Sequence, residues 1–302
     1  MATDPPATPD GRWPSGEHGL RTREVRVEPG VRVRLVEAGP EHGVPAVLLH
    51  GWACSAFSFR FLIHDLAGAG YRVVVPDLMG HGYSDKPQGS DWYSTDSLER
   101  HVAALVRLAA GERTPLVVAH SMGGGLALRL ALRNAAWFGA MALISPVGLG
   151  RVPVAMLARL FTPQAVAPLL PVFVRRSVLS LLLSFVRGSG PGYTAQEIDE
   201  YWAPTADPDF LPALRTILHS FDWEPLPSEQ LSSLATPSLM MLGDRDRLVP
   251  PMHAAWPGWN VLRERHAEIV TVPGAGHVVH EERPGLVRDR VLAFARRVLP
   301  PG

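Results

Sequence analysis

Hydrophobic residues in this chain fall in short blocks whose spacing predicts β-strands. Residues 24–28 and 31–38 alternate apolar and polar side chains, and Pro29-Gly30 between them predicts a hairpin. Six later blocks are almost continuously apolar, which is typical of strands that are buried on both faces. They cover residues 46–50, 71–77, 115–120, 141–145, 237–244 and 268–274.

Longer stretches with a helical period separate these blocks, notably residues 95–110, 122–136 and 284–298. Strands that alternate with helices predict an α/β fold, in which a mainly parallel sheet is covered by helices on both faces. A chain of 302 residues is long enough for one such domain with an insertion. We assign residues 21–146 and 231–302 to the α/β core.

The interval 147–230 breaks this alternation, and we expect it to form an inserted helical cap. It has no clear strand and is far longer than a normal connection between a helix and a strand. Its most apolar part, residues 152–186, contains two short apolar runs, 165–174 and 178–186, separated by Arg175, Arg176 and Ser177. Neither run reaches the roughly 20 residues of a membrane span.

Two interpretations of the apolar side chains in this cap stay open. They pack on the core, or they line a pocket for the acyl part of a substrate and favour acyl groups of short to medium length. The side chains concerned are Val154, Met156, Leu157, Leu160, Phe161, Leu169, Leu170, Phe173, Leu181, Leu182 and Phe185.

Charge and cysteine content narrow the expected partners. Lys and Arg (29) balance Asp and Glu (29), and a net charge of zero argues against nucleic acid or an anionic membrane as a partner. Cys54 is the single cysteine, which excludes an internal disulfide and a site of several cysteines. Residues 1–20 have no apolar signal core and predict a disordered lead-in, so we expect a cytoplasmic protein without a membrane span.

A turn of small residues at 119–124 (AHSMGG) carries the first candidate for catalysis. It joins a strand-like block to a helix-like segment, so Ser121 falls on a sharp turn that holds its hydroxyl exposed. The N-terminus of the following helix supplies free N–H groups and the positive end of a dipole. Ser121 is therefore a candidate nucleophile.

A serine nucleophile needs a base, and the base needs an acid that orients it. His277 lies on a glycine-rich loop after the last strand-like block, and Asp246 follows the block before it. Both loops are expected at the carboxyl edge of the sheet, where Ser121 should also lie. Asp244 is the alternative acid, and its structural role would be to cap a turn. His280 is the alternative base, and its structural role would be to pack near a helix.

The chain resembles the α/β-hydrolase superfamily over nearly all of residues 22–300. Five motifs in the expected order carry the resemblance: His50-Gly51-Trp52, DLMGHGYSD at 77–85, AHSMGG at 119–124, GDRDRLVP at 243–250 and GAGHVVHEERP at 274–284. In that register, the acid is Asp246 and the base is His277. The resemblance also implies an oxyanion hole made by the backbone N–H groups of Trp52 and Met122. The chain has Ala119 where the family's elbow motif begins with glycine, and alanine is small enough to keep the turn.

The resemblance implies a serine hydrolase that cleaves small carboxylic esters of apolar acyl groups through an acyl-enzyme, with no metal or organic cofactor. Family members that open epoxides or remove halogens carry aspartate at the position of Ser121. Carbon–carbon bond hydrolysis is an alternative that Ala53-Cys54-Ser55 and Val278 disfavour. Cofactor-free perhydrolysis by the same triad and a non-hydrolytic binding or biosynthetic role are the others.

Overall fold

A twisted sheet of eight strands forms the centre of the computed structural model, which describes residues 12–27, 30–250, 260–262 and 267–301. The strands are β1 (Arg21–Val27), β2 (Val31–Ala38), β3 (Val44–Leu49), β4 (Tyr71–Pro76), β5 (Leu116–His120), β6 (Ala140–Ile144), β7 (Ser238–Gly243) and β8 (Glu268–Val272). Their spatial order is β1-β2-β4-β3-β5-β6-β7-β8. β2 pairs antiparallel with β1 and β4, and all the remaining pairs of neighbouring strands are parallel.

Helices cover both faces of this sheet, as the sequence predicts. The core helices are α1 (Arg60–Gly68), α2 (Thr95–Ala110), α3 (Ser121–Arg133), α10 (Val279–Glu282) and α11 (Pro284–Val298). Along β3, Val47 and Leu49 join one buried cluster with α2 and α3, whereas Ala46 and Leu48 join a second cluster with α1 and α11. Side chains of a strand alternate between its faces, so the continuously apolar blocks arise because both faces are covered. The predicted α/β fold class is confirmed.

Most of the predicted boundaries agree with the structure to within two residues. There are two exceptions: β1 begins at Arg21, three residues before the predicted start at residue 24, and α3 ends at Arg133, three residues before the predicted end at residue 136. Asn134 ends it: its side-chain oxygen accepts a hydrogen bond from the N–H of Ala136, 3.1 Å away, and starts a separate turn of 3₁₀ helix. Residues 28 and 29, at the predicted hairpin, lie outside the described residues. β1 and β2, which come before and after these two residues, pair antiparallel.

Residues 12–20 belong to the predicted disordered lead-in, yet the structure places them against the core. The rings of Trp13 and Phe57 pack edge to face, with their centroids 5.5 Å apart. The backbone carbonyl of Trp13 accepts a hydrogen bond from the Arg34 guanidinium. Leu20 is buried. The composition of this stretch is polar, but a few large side chains, such as Trp13 and Leu20, hold it against the core. Residues 1–11 lie outside the described part of the chain.

The insert, residues 147–230, folds as helices between β6 and β7, with no strand among these residues. Its helices are α4 (Pro153–Phe161), α5 (Leu170–Phe173), α6 (Arg176–Val186), α7 (Ala195–Trp202), α8 (Phe210–Ser220) and α9 (Ser228–Ser232). Within the described part of the chain, none of the helices combines the length and the apolar character needed to cross a membrane.

The structure differs from both interpretations of the apolar side chains in the insert. Of the eleven side chains expected to pack on the core or line a pocket, only Val154 and Leu170 are half-buried. The other nine are exposed, up to 72% for Leu160. A hydrophobic pattern predicts that side chains will avoid water, but it does not identify what covers them.

Candidate active site

Ser121 occupies a strained turn between β5 and α3. Its φ angle is 52°, in the left-handed region that residues other than glycine rarely adopt. After this turn, α3 approaches β3 very closely, and Gly123 permits the approach because it has no side chain. A Cβ atom on Gly123 would lie 2.5 Å from the carbonyl oxygens of Leu49 and His50. The small residues after Ser121 therefore allow the helix to start directly beneath the serine.

Ser121, His277 and Asp246 form a continuous hydrogen-bonded chain at the carboxyl edge of the sheet. His277 Nε2 lies 2.8 Å from Ser121 Oγ, and His277 Nδ1 lies 2.8 Å from Asp246 Oδ2. All three residues are buried. The structure thus brings together side chains from the loops after β5, β7 and β8, which are separated by as many as 156 residues in the sequence.

The loop after β7 aims the Asp246 carboxylate at the histidine. Asp246 Oδ1 accepts hydrogen bonds from the N–H groups of Leu248 and Val249, both at 2.8 Å, so Oδ2 is left to face His277. Asp244, the alternative acid, is exposed and accepts a bond of 2.6 Å from the N–H of Gly274. It fastens one loop to another and lies away from the hydrogen-bonded chain.

Two buried histidines pack behind His277. The ring of His120 lies 4.8 Å from that of His277, and its Nε2 is 3.1 Å from the His277 carbonyl oxygen. The ring of His280, the alternative base, lies 4.6 Å from that of His120. Burial lowers the pKa of His120 well below the usual value and lowers that of His280 to about 3, with the positive charge of Arg60 adding to the shift of His280. Both rings are therefore neutral packing groups.

The loop that carries His277 is fastened to the end of α6. The His277 N–H donates to the carbonyl of Val186 at 2.8 Å. The two carboxylate oxygens of Glu282 accept from the N–H groups of Gly276 and Gly188, each at 2.8 Å. These backbones approach so closely that a Cβ atom on Gly276 would lie 2.5 Å from the Val186 oxygen. The insert therefore helps to position the histidine.

Sequence reasoning misses Glu282. Its signal is weak: two consecutive acids, Glu281 and Glu282, begin a helix in a stretch that is otherwise apolar and histidine-rich. Glu281 is buried and pairs with Arg60 at 2.6 Å, while the Tyr201 hydroxyl donates to it at 2.6 Å. Burial raises the pKa of Glu281. Together with the Arg60–Glu197 pair, 2.5 Å long, this network joins α10 and α1 to α7 of the insert.

The backbone N–H groups of Trp52 and Met122 belong to neighbouring loops. β3 and β5 are adjacent, with Leu49 opposite Ala119, so the two loops leave the sheet side by side. The Met122 N–H lies in the first turn of α3, where helical N–H groups have no acceptor within the helix. The Trp52 indole N–H donates to the carbonyl of Leu214 in α8 at 2.9 Å, which ties this loop to the insert.

Several other motif residues hold loops in place. Asp77 is fully buried, accepts from the N–H groups of Ala56 (2.7 Å) and Tyr83 (3.0 Å), and pairs with Arg34 at 3.2 Å. His50 Nε2 accepts from the N–H of Leu78 at 2.9 Å. These contacts join the loops after β3 and β4.

The Cys54 thiol lies in the loop after β3. Burial and the nearby Glu281 carboxylate raise its pKa. A raised pKa keeps the sulfur protonated and therefore a poor nucleophile. Among the described residues, no group of three or more His, Cys, Asp and Glu side chains is placed to hold a metal ion.

Comparison with known proteins identifies the class to which this fold and site belong. A model described as the alpha/beta hydrolase family matches residues 46–290, and the chain belongs to that family of hydrolases. The AB hydrolase superfamily protein YfhM of Bacillus subtilis (strain 168) is 37% identical over 102 residues, which are 34% of this chain and 35% of that protein. The chain thus aligns with about a third of that relative.

Other relatives align over nearly the whole chain. Epoxide hydrolase A of Mycobacterium tuberculosis (strain ATCC 25618 / H37Rv) is 27% identical over 326 residues, covering 91% of this chain and 98% of that protein. Among solved structures, the meta-cleavage product hydrolase of Pseudomonas fluorescens IP01 has a TM-score of 0.75 and 22% identity, covering 91% of this chain and 97% of that one. The last likeness is one of fold alone.

Proposed function

We propose that this protein is a serine hydrolase that cleaves carboxylic esters of apolar acyl groups through an acyl-enzyme intermediate. The observation that carries the proposal is the chain from Asp246 through His277 to Ser121, in which both links are 2.8 Å long. A nucleophile, a base and an orienting acid in such contact are the arrangement that acyl transfer needs.

In the proposed reaction, Ser121 Oγ attacks the ester carbonyl while His277 Nε2 takes the hydroxyl proton. The carbonyl oxygen becomes negative and accepts hydrogen bonds from the N–H groups of Trp52 and Met122. When the intermediate collapses, His277 gives its proton to the departing alcohol. A water then attacks the acyl-enzyme with His277 as base, which releases the acid and restores Ser121. Asp246 holds the imidazole in the reactive tautomer and stabilises its charged form.

A serine nucleophile favours a carbonyl substrate over the substrates named for some relatives. Attack of Ser121 on an epoxide or a haloalkane carbon would form an ether, which has no carbonyl for water to attack. The enzyme would then remain alkylated after one turnover. Attack on an ester forms a new ester, and the same histidine can direct its hydrolysis. Epoxide opening, the activity named for Epoxide hydrolase A, is therefore not proposed for this chain.

The surroundings of the proposed oxyanion hole support an apolar acyl group. Met122 is buried in one hydrophobic cluster with Val147, with Ala155 of α4 and with Ile217 of α8, and Trp52 packs against that cluster. This cluster contains apolar side chains of both the core and the insert and includes Met122 of the proposed oxyanion hole. The half-buried Trp52 gives a substrate chain an apolar surface near the carbonyl.

The proposal is tested with p-nitrophenyl esters of increasing acyl length. We expect a burst of p-nitrophenol that approaches the enzyme concentration, because p-nitrophenol leaves in the acylation step and an activated ester should acylate Ser121 faster than water removes the acyl group. kcat/KM should rise about fourfold for each added methylene, the equivalent of ~0.8 kcal/mol, until the apolar space is filled.

Two variants serve as controls. Ser121→Ala should lose about five orders of magnitude in kcat while remaining folded. Ser145→Ala should keep nearly full activity, because Ser145 is also buried and left-handed at a strand end but lies outside the hydrogen-bonded chain. Near-normal turnover by folded Ser121→Ala would refute the proposal. A flat acyl-length profile would refute only the apolar preference.

A further inference from the structure

The first three helices of the insert, and the 3₁₀ turn before α5, expose large apolar side chains to solvent. We call these side chains the insert face, and it consists of Met156, Leu157, Leu160, Phe161, Leu169, Val172, Phe173, Val178, Leu181, Leu182 and Phe185. On α6, the exposed residues Val178, Leu181, Leu182 and Phe185 follow the i, i+3, i+4, i+7 spacing of one helix face. An amphipathic helix normally turns this face to the core, and here the face points outward.

Hydroxyl groups near the insert face are turned back onto their own helices. Ser184 Oγ donates to the carbonyl of Ser180 at 2.8 Å, and Thr162 Oγ1 donates to the carbonyl of Ala158 at 2.7 Å. A typical protein interface carries about one hydrogen bond per 100–200 Å². These hydroxyls are already bonded within the chain, so the face is better suited to hydrocarbon than to a protein partner.

Charge is distributed unevenly along the neutral chain, and the helices of the insert face lie in a stretch whose only charged residues are arginines. Residues 147–187 contain five arginines and no Asp, Glu or Lys. Arg151 and Arg175 are exposed, and the Arg175 guanidinium donates to the carbonyl of Val172, which leaves its charge unneutralised. Of the other three arginines, Arg159 donates to the carbonyls of Leu218 and Phe221, Arg176 pairs with Asp199 of α7 at 2.5 Å, and Arg187 is half-buried. The attraction for anions therefore comes from Arg151 and Arg175.

This charge argues against a second copy of the chain as the partner. In a twofold dimer the same patch meets itself, so the arginines of 147–187 would face one another across an apolar contact. An anionic lipid surface has the opposite charge and needs no matching hydrogen-bond pattern. Amphipathic helices with apolar residues on one side and arginines beside them lie in such an interface.

We propose that the insert face docks on the surface of an anionic phospholipid bilayer. The apolar side chains of α4, α5 and α6 enter the boundary between headgroups and acyl chains, and the arginines contact lipid phosphates. α6 ends at Val186, whose carbonyl accepts from the His277 N–H, so docking places the carboxyl edge of the sheet beside the bilayer. The docking does not depend on which bond the enzyme cleaves.

The test is co-sedimentation of the full chain with vesicles of phosphatidylcholine alone or of phosphatidylcholine mixed with phosphatidylglycerol. We expect binding to the mixed vesicles, weaker binding to the neutral ones, and a decrease as salt is added. Absence of binding to the mixed vesicles overturns the proposal without any variant. Equal binding to both vesicles overturns its electrostatic part.

Leu160→Asp with Leu181→Asp tests the apolar contact. Both side chains are at least 70% exposed, so the fold should be retained, as the unchanged turnover of a water-soluble ester would check. Vesicle affinity should fall at least about tenfold for each side chain. Leu108→Asp, an exposed position on α2, is the matched control and should leave affinity unchanged. An equal loss in the control overturns the assigned surface.

Arg151→Gln with Arg175→Gln tests the charge, and we expect about a fivefold loss of affinity for each arginine. Arg100→Gln with Arg290→Gln removes two exposed arginines from α2 and α11 and should have little effect. Analytical ultracentrifugation of the wild type identifies the competing occupant. A stable dimer that Leu181→Asp converts to a monomer would overturn lipid docking in favour of a second copy.

Discussion

The carboxyl edge of the sheet buries polar side chains, whereas the insert face exposes apolar ones. At the edge, Ser121, Asp246 and His277 are polar, yet each is buried, and the hydrogen bonds that align them come from within the chain. On the insert face, Leu160 and Leu181 are apolar, yet more than two thirds of each is exposed. The polar groups at the edge are hydrogen-bonded to one another. The exposed side chains of the insert face can be covered only by something outside the described residues.

The physical cost of the two arrangements differs as well. A buried polar group costs about 1–3 kcal/mol if it loses its partner, so each bond at the edge is expected to matter for function. A fully exposed leucine forgoes about 1.5–3 kcal/mol of burial. Exposed apolar patches larger than a few hundred Å² are uncommon on monomers and mark sites of interaction. The comparison predicts large losses of activity from edge variants and little effect on stability from insert-face variants.

The largest effect is expected from Asp246→Asn. The amide would favour the histidine tautomer that carries its proton on Nε2, so the imidazole could no longer accept the proton of Ser121. We expect kcat to fall about 10³–10⁴-fold with the fold intact. Asp244→Asn is the matched control, because its exposed side chain can still accept from Gly274, and we expect a change of about twofold or less. A larger loss from Asp244→Asn than from Asp246→Asn would contradict the assignment.

Glu282→Gln is expected to have the next largest effect. The glutamine can accept from only one of the N–H groups of Gly276 and Gly188, so one buried donor loses its partner. We expect about a tenfold decrease in kcat with little change in KM, because the His277 loop would be less well positioned. Glu229→Gln, at an exposed site on α9, is the control. Steady-state kinetics on one soluble ester measures both, and an unchanged kcat would show that Glu282 does not position the loop.

The third prediction concerns the pH dependence of stability. Folding lowers the pKa of His280 from 6.5 to about 3, mainly by burial, with the charges of Arg60 and His277 adding to the shift. Between these values, the unfolded chain binds a proton that the folded chain does not, so the His280 contribution to stability falls as pH decreases below 6.5. His280→Phe keeps a ring against Phe59 and His120 and removes that proton. The slope of unfolding free energy against pH should therefore become shallower, by about half of 1.4 kcal/mol per pH unit at pH 6.5 and by nearly all of it at pH 5.

Urea unfolding of both proteins at several pH values between 5 and 7 measures this slope, with values chosen around the histidine pKa of about 6.5. His120 and Glu281, which also face His280, are present in both proteins, so their own titrations largely cancel in the difference. His42→Phe makes the same change at an exposed histidine and serves as the matched control. Parallel curves for His280→Phe and the wild type would show that proton uptake by His280 does not contribute to acid unfolding.

The sequence predicts the core well because local patterns determine its elements. The block at 71–77 predicts β4 at Tyr71–Pro76, since a parallel strand covered on both faces is apolar throughout. Ser121 could be proposed as the candidate nucleophile because its turn needs small neighbours in the sequence itself. Asp246 was separable from Asp244 only through the family register, and the structure gives a physical reason. The N–H groups of Leu248 and Val249 follow Asp246 closely enough to hold its carboxylate.

The contacts of Glu282 and the surroundings of the insert could not be predicted in this way. Glu282 and Gly188 are 94 residues apart, and no local pattern indicates that the Glu282 carboxylate meets the Gly188 N–H. In the insert, an apolar stripe has the same sequence whether a core, a substrate or a membrane covers it. The stripe on α6 therefore predicts a helix and one apolar face, but not the direction in which that face points.

The smallest effect is expected for Leu181→Ala, and it tests whether the insert face is truly uncovered in solution. Leu181 is 70% exposed on α6, so its truncation removes few contacts and should change the free energy of unfolding by no more than about 0.5 kcal/mol. Leu130→Ala on α3 is the same change at a site that is 2% exposed, and it should cost about 2–5 kcal/mol. Urea unfolding measures both. If Leu181→Ala costs as much as Leu130→Ala without lipid present, another surface already covers the insert face, and the contrast between the two regions fails.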